Sequence, residues 1–132
     1  MVMNAGDTYR LQALLELAAA YPRPLTVRAV AGRRNVPGPF LARLLRSLAQ
    51  GGLVSTTRGP SGGVRLARPP GEVTLAAVLP SLERPTVKNA GAAIAHVRDR
   101  LDSARREVLD SLTLAALREI ERSTAGSNNW QI

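Results

Sequence analysis

The sequence contains no cysteine. Disulfides, thiolate metal sites and cysteine nucleophiles are therefore excluded together. Aromatic side chains are scarce as well, at 3% of residues, and Tyr9, Tyr21, Phe40 and Trp130 are too few to stack successive bases of a single strand. Long apolar runs are missing. The richest, Leu11 to Ala20, is short and broken by Gln12 and Glu16, so neither a signal peptide nor a membrane span is expected, and the cytoplasm is the expected compartment. No nucleophile and base pair, metal cluster or phosphate loop stands out, and an enzyme is not expected.

Acidic residues are missing from one half only. Residues 1 to 71 hold ten arginines against Asp7 and Glu16, while residues 72 to 132 hold eight basic groups against eight acidic ones. The whole formal net charge of +8 thus belongs to the first half. Such asymmetry favours a polyanionic partner, and with so few aromatics duplex DNA is the better match. Lysine is nearly absent too, seventeen of the eighteen basic residues being arginine. A genome rich in G and C produces the same bias, so no function is read from it.

What is present fits one modest core with an appendage in 132 residues. Leu11, Leu14, Leu15 and Ala18 recur at helical spacing, predicting a helix from Asp7 or Thr8 to about Tyr21, ended by Pro22 and Pro24. A unit of apolar residue, threonine, apolar residue, any residue, alanine and apolar residue then appears three times: at Leu25 to Val30, Val73 to Val78 and Leu112 to Leu117. Threonine can cap free amides while its flanking apolar residues form a staple, so each copy should start a helix.

The first such helix, Thr26 to about Arg34, runs closely into a second in which Pro39 suits the first turn. Together they predict a helix-turn-helix. In the second helix Phe40, Leu41, Leu44, Leu45 and Leu48 form a core stripe, leaving Ala42, Arg43, Arg46, Ser47 and Gln50 on the other face. Gly51-Gly52 stops the helix. Leu53 to Thr57 and Val64 to Ala67 are short, partly β-branched and separated by a Gly/Pro loop, which predicts a hairpin. The loop Arg58-Gly-Pro-Ser-Gly-Gly lacks the Gly-Lys-Ser/Thr ending of a nucleotide-binding loop and is not followed by a helix. A wing fits better, with Arg58 placed for a narrow minor groove, Ser61 beside it and Arg65 near the DNA backbone. The exposed face of Arg43, Arg46, Ser47 and Gln50 could be merely solvated, but the order of elements favours DNA contacts, with Arg28, Arg33 and Arg34 as phosphate clamps.

These residues carry a resemblance. Tyr9-Arg-Leu-Gln-Ala-Leu-Leu-Glu-Leu-Ala and the run from Val36 to Glu83 resemble the IscR/NsrR/CymR family of dimeric winged-helix transcription regulators. The closest matches are Phe40-Leu41 with Leu44, Leu45 and Leu48, then Gly52-Leu53-Val54-Ser55, Arg58-Gly59 with Gly62-Gly63, Leu66-Ala67, and Thr74-Leu75 through Val78 to Leu82-Glu83. The resemblance covers nearly the whole chain. It implies that the helix carrying Phe40 enters the major groove, giving Arg43 and Arg46 that role, and that Arg58 enters the minor groove. Three departures stand out. Ala42 occupies a position where relatives often hold a base-reading acidic residue, so the target sequence should differ. Val64 replaces the usual tyrosine. The three cysteines that hold an iron-sulfur cluster in many members, after the Leu82-Glu83 equivalent, are absent.

In the second half, Asn89 can cap a long helix whose residues Ala90, Ile94, Val97, Leu101, Ala104 and Val108 step by 4, 3, 4, 3 and 4, a heptad seam. The seam could serve an internal core, but the winged helix has its own, and a homodimer through Ile94, Val97, Leu101, Ala104 and Val108 is favoured. A helix from Thr113 to about Arg122 should pack back on its own domain, and residues 123–132 form a polar tail, with Trp130 either free or docked. His96, one position off the seam, reads as an ordinary surface or interface histidine.

The expected fold is mainly α with a small β-hairpin: a winged helix-turn-helix domain over 1–83, a dimerisation helix and short returning helix over 84–122, and the tail. The expected function is a sequence-specific DNA-binding transcription regulator, a repressor acting as a homodimer on a palindrome, with no cofactor. The alternative is a winged-helix module binding an acidic protein. The signal is open between a small-molecule effector in the cleft beside the dimer helix, a partner protein and constitutive binding.

Overall fold

The structure, a computed structural model, describes residues 3–60, 62–79 and 88–128, with side chains to residue 125. Expectations for Ser61, for residues 83–87 of the loop and for Trp130 in the tail lie outside the described residues. The chain is mainly α with one antiparallel hairpin, as expected. Its elements are α1 (Ala5–Ala20), α2 (Val27–Arg34), α3 (Gly38–Gln50), β1 (Val54–Thr57), β2 (Gly63–Leu66), a short 3-10 turn (Pro70–Glu72), α4 (Leu75–Val78), α5 (Ala92–Ser111) and α6 (Leu114–Asn128).

Helix α1 starts earlier than expected. Asn4 is its N-cap, accepting a 2.7 Å hydrogen bond from the Asp7 amide, while the Asn4 amide donates to the Asp7 carboxylate at 3.2 Å. This reciprocal box makes Asp7 an interior partner of the first turn rather than its start. Of the three threonine units, two cap as expected: Thr26 accepts from the Ala29 amide and Thr113 from the Ala116 amide, both at 3.1 Å. Thr74 makes no such bond. Instead it forms a β-bridge with Thr113, so the second and third units pair with each other, Leu75 donating to Leu112 at 2.9 Å and Leu114 to Val73 at 3.0 Å.

The core lies inside α1, α2, α3 and the hairpin, with Leu14, Leu17, Val30, Leu41, Leu48 and Leu66 all under 2% exposed. Leu114 of α6 joins them at 0%, a burial that contributes roughly 1.5–3 kcal/mol. The C-terminal helix is thereby anchored in the head rather than appended to it.

Helix α5 differs from expectation at its start. Asn89 is not its cap but sits at φ 61 in the preceding turn, Ala90 lies outside the helix, and Gly91 occupies the N-cap position without a side-chain hydrogen bond. Helix α6 continues to Asn128, beyond the end expected near Arg122. Among the described residues no helix is long and apolar enough to cross a membrane.

Candidate nucleic-acid interface

The turn between α2 and α3 is made by Asn35, held left-handed at φ 54 as the C-cap of α2. Asparagine tolerates that conformation better than most residues. Pro37 and Pro39 then set the first turn of α3, whose backbone ladder begins where Leu41 donates to the Pro37 carbonyl at 2.9 Å. Leu41, Leu44, Leu45 and Leu48 are buried, and half-buried Phe40 meets Tyr9 edge-on with ring centroids 5.3 Å apart. That packing fixes the rotation of α3. Arg43, Arg46, Ser47 and Gln50 are left exposed, as one face, with Ala42 half-buried at its edge.

After Gly52, left-handed at φ 77, the chain enters the hairpin, paired Val54 with Leu66, Ser55 with Arg65, Thr56 with Val64 and Thr57 with Gly63. Val54, Val64 and Leu66 turn inward, so Arg65 between them points out. The base of the wing is tied to the α1–α2 connection. Leu25 and Val64 exchange two backbone hydrogen bonds of 2.8 Å. At Gly63 a Cβ would lie 2.5 Å from the Leu25 carbonyl oxygen, and at Gly62 it would overlap the Thr57 carbonyl. The paired glycines are thus demanded by close backbone approach. Arg58, Gly59 and Pro60 are exposed at the tip. Val64, the departure from the usual tyrosine, is 5% exposed and belongs to the core.

Arg28, Arg43, Arg46, Arg58 and Arg65 are all exposed, and none has an ion pair among the described residues. Arg33 is half-exposed, with the Glu16 carboxylate 3.5 Å away. Arg34 departs from the expectation of a phosphate clamp. Its guanidinium donates to Glu16 at 2.9 Å and to both oxygens of Glu121 at 2.7 and 3.2 Å, with 17% of the side chain exposed. With its fork turned to two carboxylates, it joins α1, α2 and α6. Donation to the Glu121 carboxylate raises the Arg34 pKa above its ordinary value despite burial. The same donation from Arg34, helped by Arg118, holds the Glu121 carboxyl below the usual range. Glu16 and Glu121 were the functional carboxylates missed from sequence. The available signal was that Glu16 is one of two acids among ten arginines.

On α5 the seam residues are bare. Ile94, Val97, Leu101 and Val108 are 50–66% exposed, Ala104 is exposed, and no residue of the helix is fully buried. His96 is exposed beside them.

The chain matches over residues 3–120 the family described as "Rrf2: Iron-dependent Transcriptional regulator". It is 32% identical over 128 residues to the Mycobacterium tuberculosis protein Rv1287, covering 87% of this chain and 80% of that one. Its fold is similar to that of T. potens IscR, with a TM-score of 0.80 at 29% identity over 92% of this chain and 88% of that one. It is likewise similar to CymR of B. subtilis, with a TM-score of 0.79 at 26% identity over 91% and 98% of the two chains. It spans little more than half the length of several other relatives, 52–57%. The iron of the family description does not fit the donors available here. There is no thiolate in the sequence, and among the described residues no three His, Asp or Glu side chains gather as a metal would need. By match over most of its length, this chain belongs to the Rrf2 family of transcriptional regulators.

Proposed function

We propose that the chain is a sequence-specific DNA-binding transcription regulator that acts as a homodimer on a palindromic operator, as a cytoplasmic repressor without an iron-sulfur cluster. The observation that carries this reading is the set of exposed arginines on α3 and the wing, Arg43, Arg46, Arg58 and Arg65, which have no ion pair among the described residues. Held on a rigid core, they suit a major groove and the adjoining minor groove. Ser47 and Gln50 add neutral hydrogen-bonding groups between them, and Arg28 supplies a cation toward the flanking phosphates. The bare seam of α5 supports the homodimer, because four large apolar side chains at half exposure or more lie in one heptad stripe, the pattern of a helix that packs on a partner.

A two-fold protein reads two half-sites, with centres about 34–36 Å apart or somewhat more. Seated across a promoter, such a dimer excludes polymerase by occupancy, which is the basis for repression. Sequencing the genomic DNA retained by the purified protein tests the reading. Enrichment of an inverted repeat, with affinity for it at least about a thousandfold above random DNA, is expected. Equal affinity for random and enriched DNA would instead favour a basic face that meets an acidic protein.

A further inference from the structure

Helix α5 carries two stripes. Ala95, Arg98, Asp102, Arg105 and Leu109 are half-buried and step by 3, 4, 3 and 4, forming the face turned to the protomer's own body, where Leu109 packs on the core. The exposed stripe of Ile94, Val97, Leu101, Ala104 and Val108 lies beside it. In heptad terms Ile94, Leu101 and Val108 are a, Val97 and Ala104 are d, Arg98 and Arg105 are e, and Arg100 and Glu107 are g. Arg100 and Glu107 are both exposed. Two turns apart, about 10 Å along the axis, they are too distant to pair within one helix.

The charges discriminate between ways of pairing this seam with a second copy. Parallel helices set each g against the following e, bringing Arg100 against the partner's Arg105. Antiparallel helices set a against d and g against g, and two registers cover the seam. In the first, Leu101 layers on the partner's Val97 and Arg100 meets the partner's Arg100. In the second, Leu101 layers on the partner's Ala104, Val97 on the partner's Val108, and Arg100 meets the partner's Glu107 on both sides of the two-fold axis. Only the second places opposite charges together. On its other flank Arg98 lies toward the partner's Arg105, but both are half-buried against their own protomer, and Arg105 donates to Asp102 at 3.0 Å.

We propose that Arg100 and Glu107 are the self-recognition residues of α5, pairing across an antiparallel homodimer in which Leu101 layers on the partner's Ala104. This rests on the homodimer reading above and adds its orientation, register and the residues that select the partner.

Sedimentation of the full chain and its variants tests it. R100E and E107R each turn two attractions into two repulsions, and each should raise the dimer dissociation constant about tenfold. The double variant R100E/E107R should restore the parent value. An equimolar mixture of the two single variants should form heterodimers, because both contacts are complementary only in the mixed pair. Tighter dimers of R100E would establish parallel pairing, and an unaltered E107R the other antiparallel register; either overturns the proposal while leaving the homodimer intact. A parent chain that stays monomeric at every concentration overturns the homodimer reading and this one with it.

Discussion

Replacing Arg34 with methionine separates a structural clamp from a DNA contact. Methionine keeps the apolar stem and removes three charge-assisted hydrogen bonds, of 2.9 Å to Glu16 and 2.7 and 3.2 Å to Glu121. A buried hydrogen bond to a charged group contributes about 1.5–3 kcal/mol, an exposed ion pair about 0–1 kcal/mol. The Arg34, Glu16 and Glu121 side chains, 17%, 15% and 30% exposed, lie between those limits. Neither carboxylate is stranded by the change, since Arg33 remains 3.5 Å from Glu16 and Arg118 3.1 Å from Glu121. The loss should therefore be about 2 kcal/mol rather than the sum of three strong bonds. For a chain of this size that lowers Tm by about 8 °C. Thermal unfolding followed by circular dichroism reads it, and the gap between parent and variant should narrow in about 0.5 M salt as the parent's pair is screened. Arg28→Ala is the control: an exposed cation whose loss should leave Tm unchanged and reduce the salt dependence of DNA binding by about one phosphate contact. If Arg34→Met kept the parent Tm and reduced that salt dependence instead, the clamp would be refuted and Arg34 would be a phosphate ligand.

Arg58→Ala should weaken operator binding about tenfold or more in a gel-shift titration while leaving Tm unaltered, and unchanged affinity would remove the wing from the interface. Gly63→Ala drives a Cβ to 2.5 Å from the Leu25 carbonyl, backbone against backbone; a loss of about 2 kcal/mol or more in urea unfolding is expected, and an unchanged midpoint would contradict the close approach. Because Arg34 holds the Glu121 carboxyl below its ordinary 4.5, the stability it contributes is present above that pH and lost as pH falls through the lowered folded value. The Tm difference between the parent and Glu121→Gln should thus shrink as the pH is taken progressively below the ordinary 4.5, and a difference that grew instead would reverse the assigned sign.

The readable parts of this chain were those written in local pattern. The leucine stripe of α3 recurs every three or four residues because one face meets a core, and the wing is spelled by β-branched runs around glycines that only close backbone approach requires. Cap positions were harder, since several residues compete for one role. Asn4 took the cap expected nearer Asp7, and Asn89 lost its cap to the turn before Gly91. Thr74 has the same sequence context as Thr26 and Thr113, yet its amide neighbourhood is set by the bridge to Thr113, a contact across the chain. Arg34 was illegible for the same reason. Glu16 and Glu121 lie 18 and 87 residues away in sequence, and nothing local distinguishes Arg34 from exposed Arg28 or Arg33.

The Arg34 clamp is one of several ties between the two halves of the chain. The described links between the head and the C-terminal helices include the backbone pairing of Val73 and Leu75 with Leu112 and Leu114, the insertion of Leu114 into the core, the packing of Leu109 and Leu117 against it, and the Arg34–Glu121 pair. None of these uses a thiolate or a metal. Arg34 immediately precedes Asn35, the left-handed residue from which α3 sets off, so the clamp grips the chain at the base of α3 rather than a remote surface. Glu121 sits one element beyond α5, close to the point where Leu114 is locked into the head. In the proposed homodimer, the separation of the two α3 helices is set by α5 pairing at one end and by this ionic grip at the other. That homodimer would hold its two α3 helices at a fixed spacing without cluster ligands, by ordinary packing and two carboxylates.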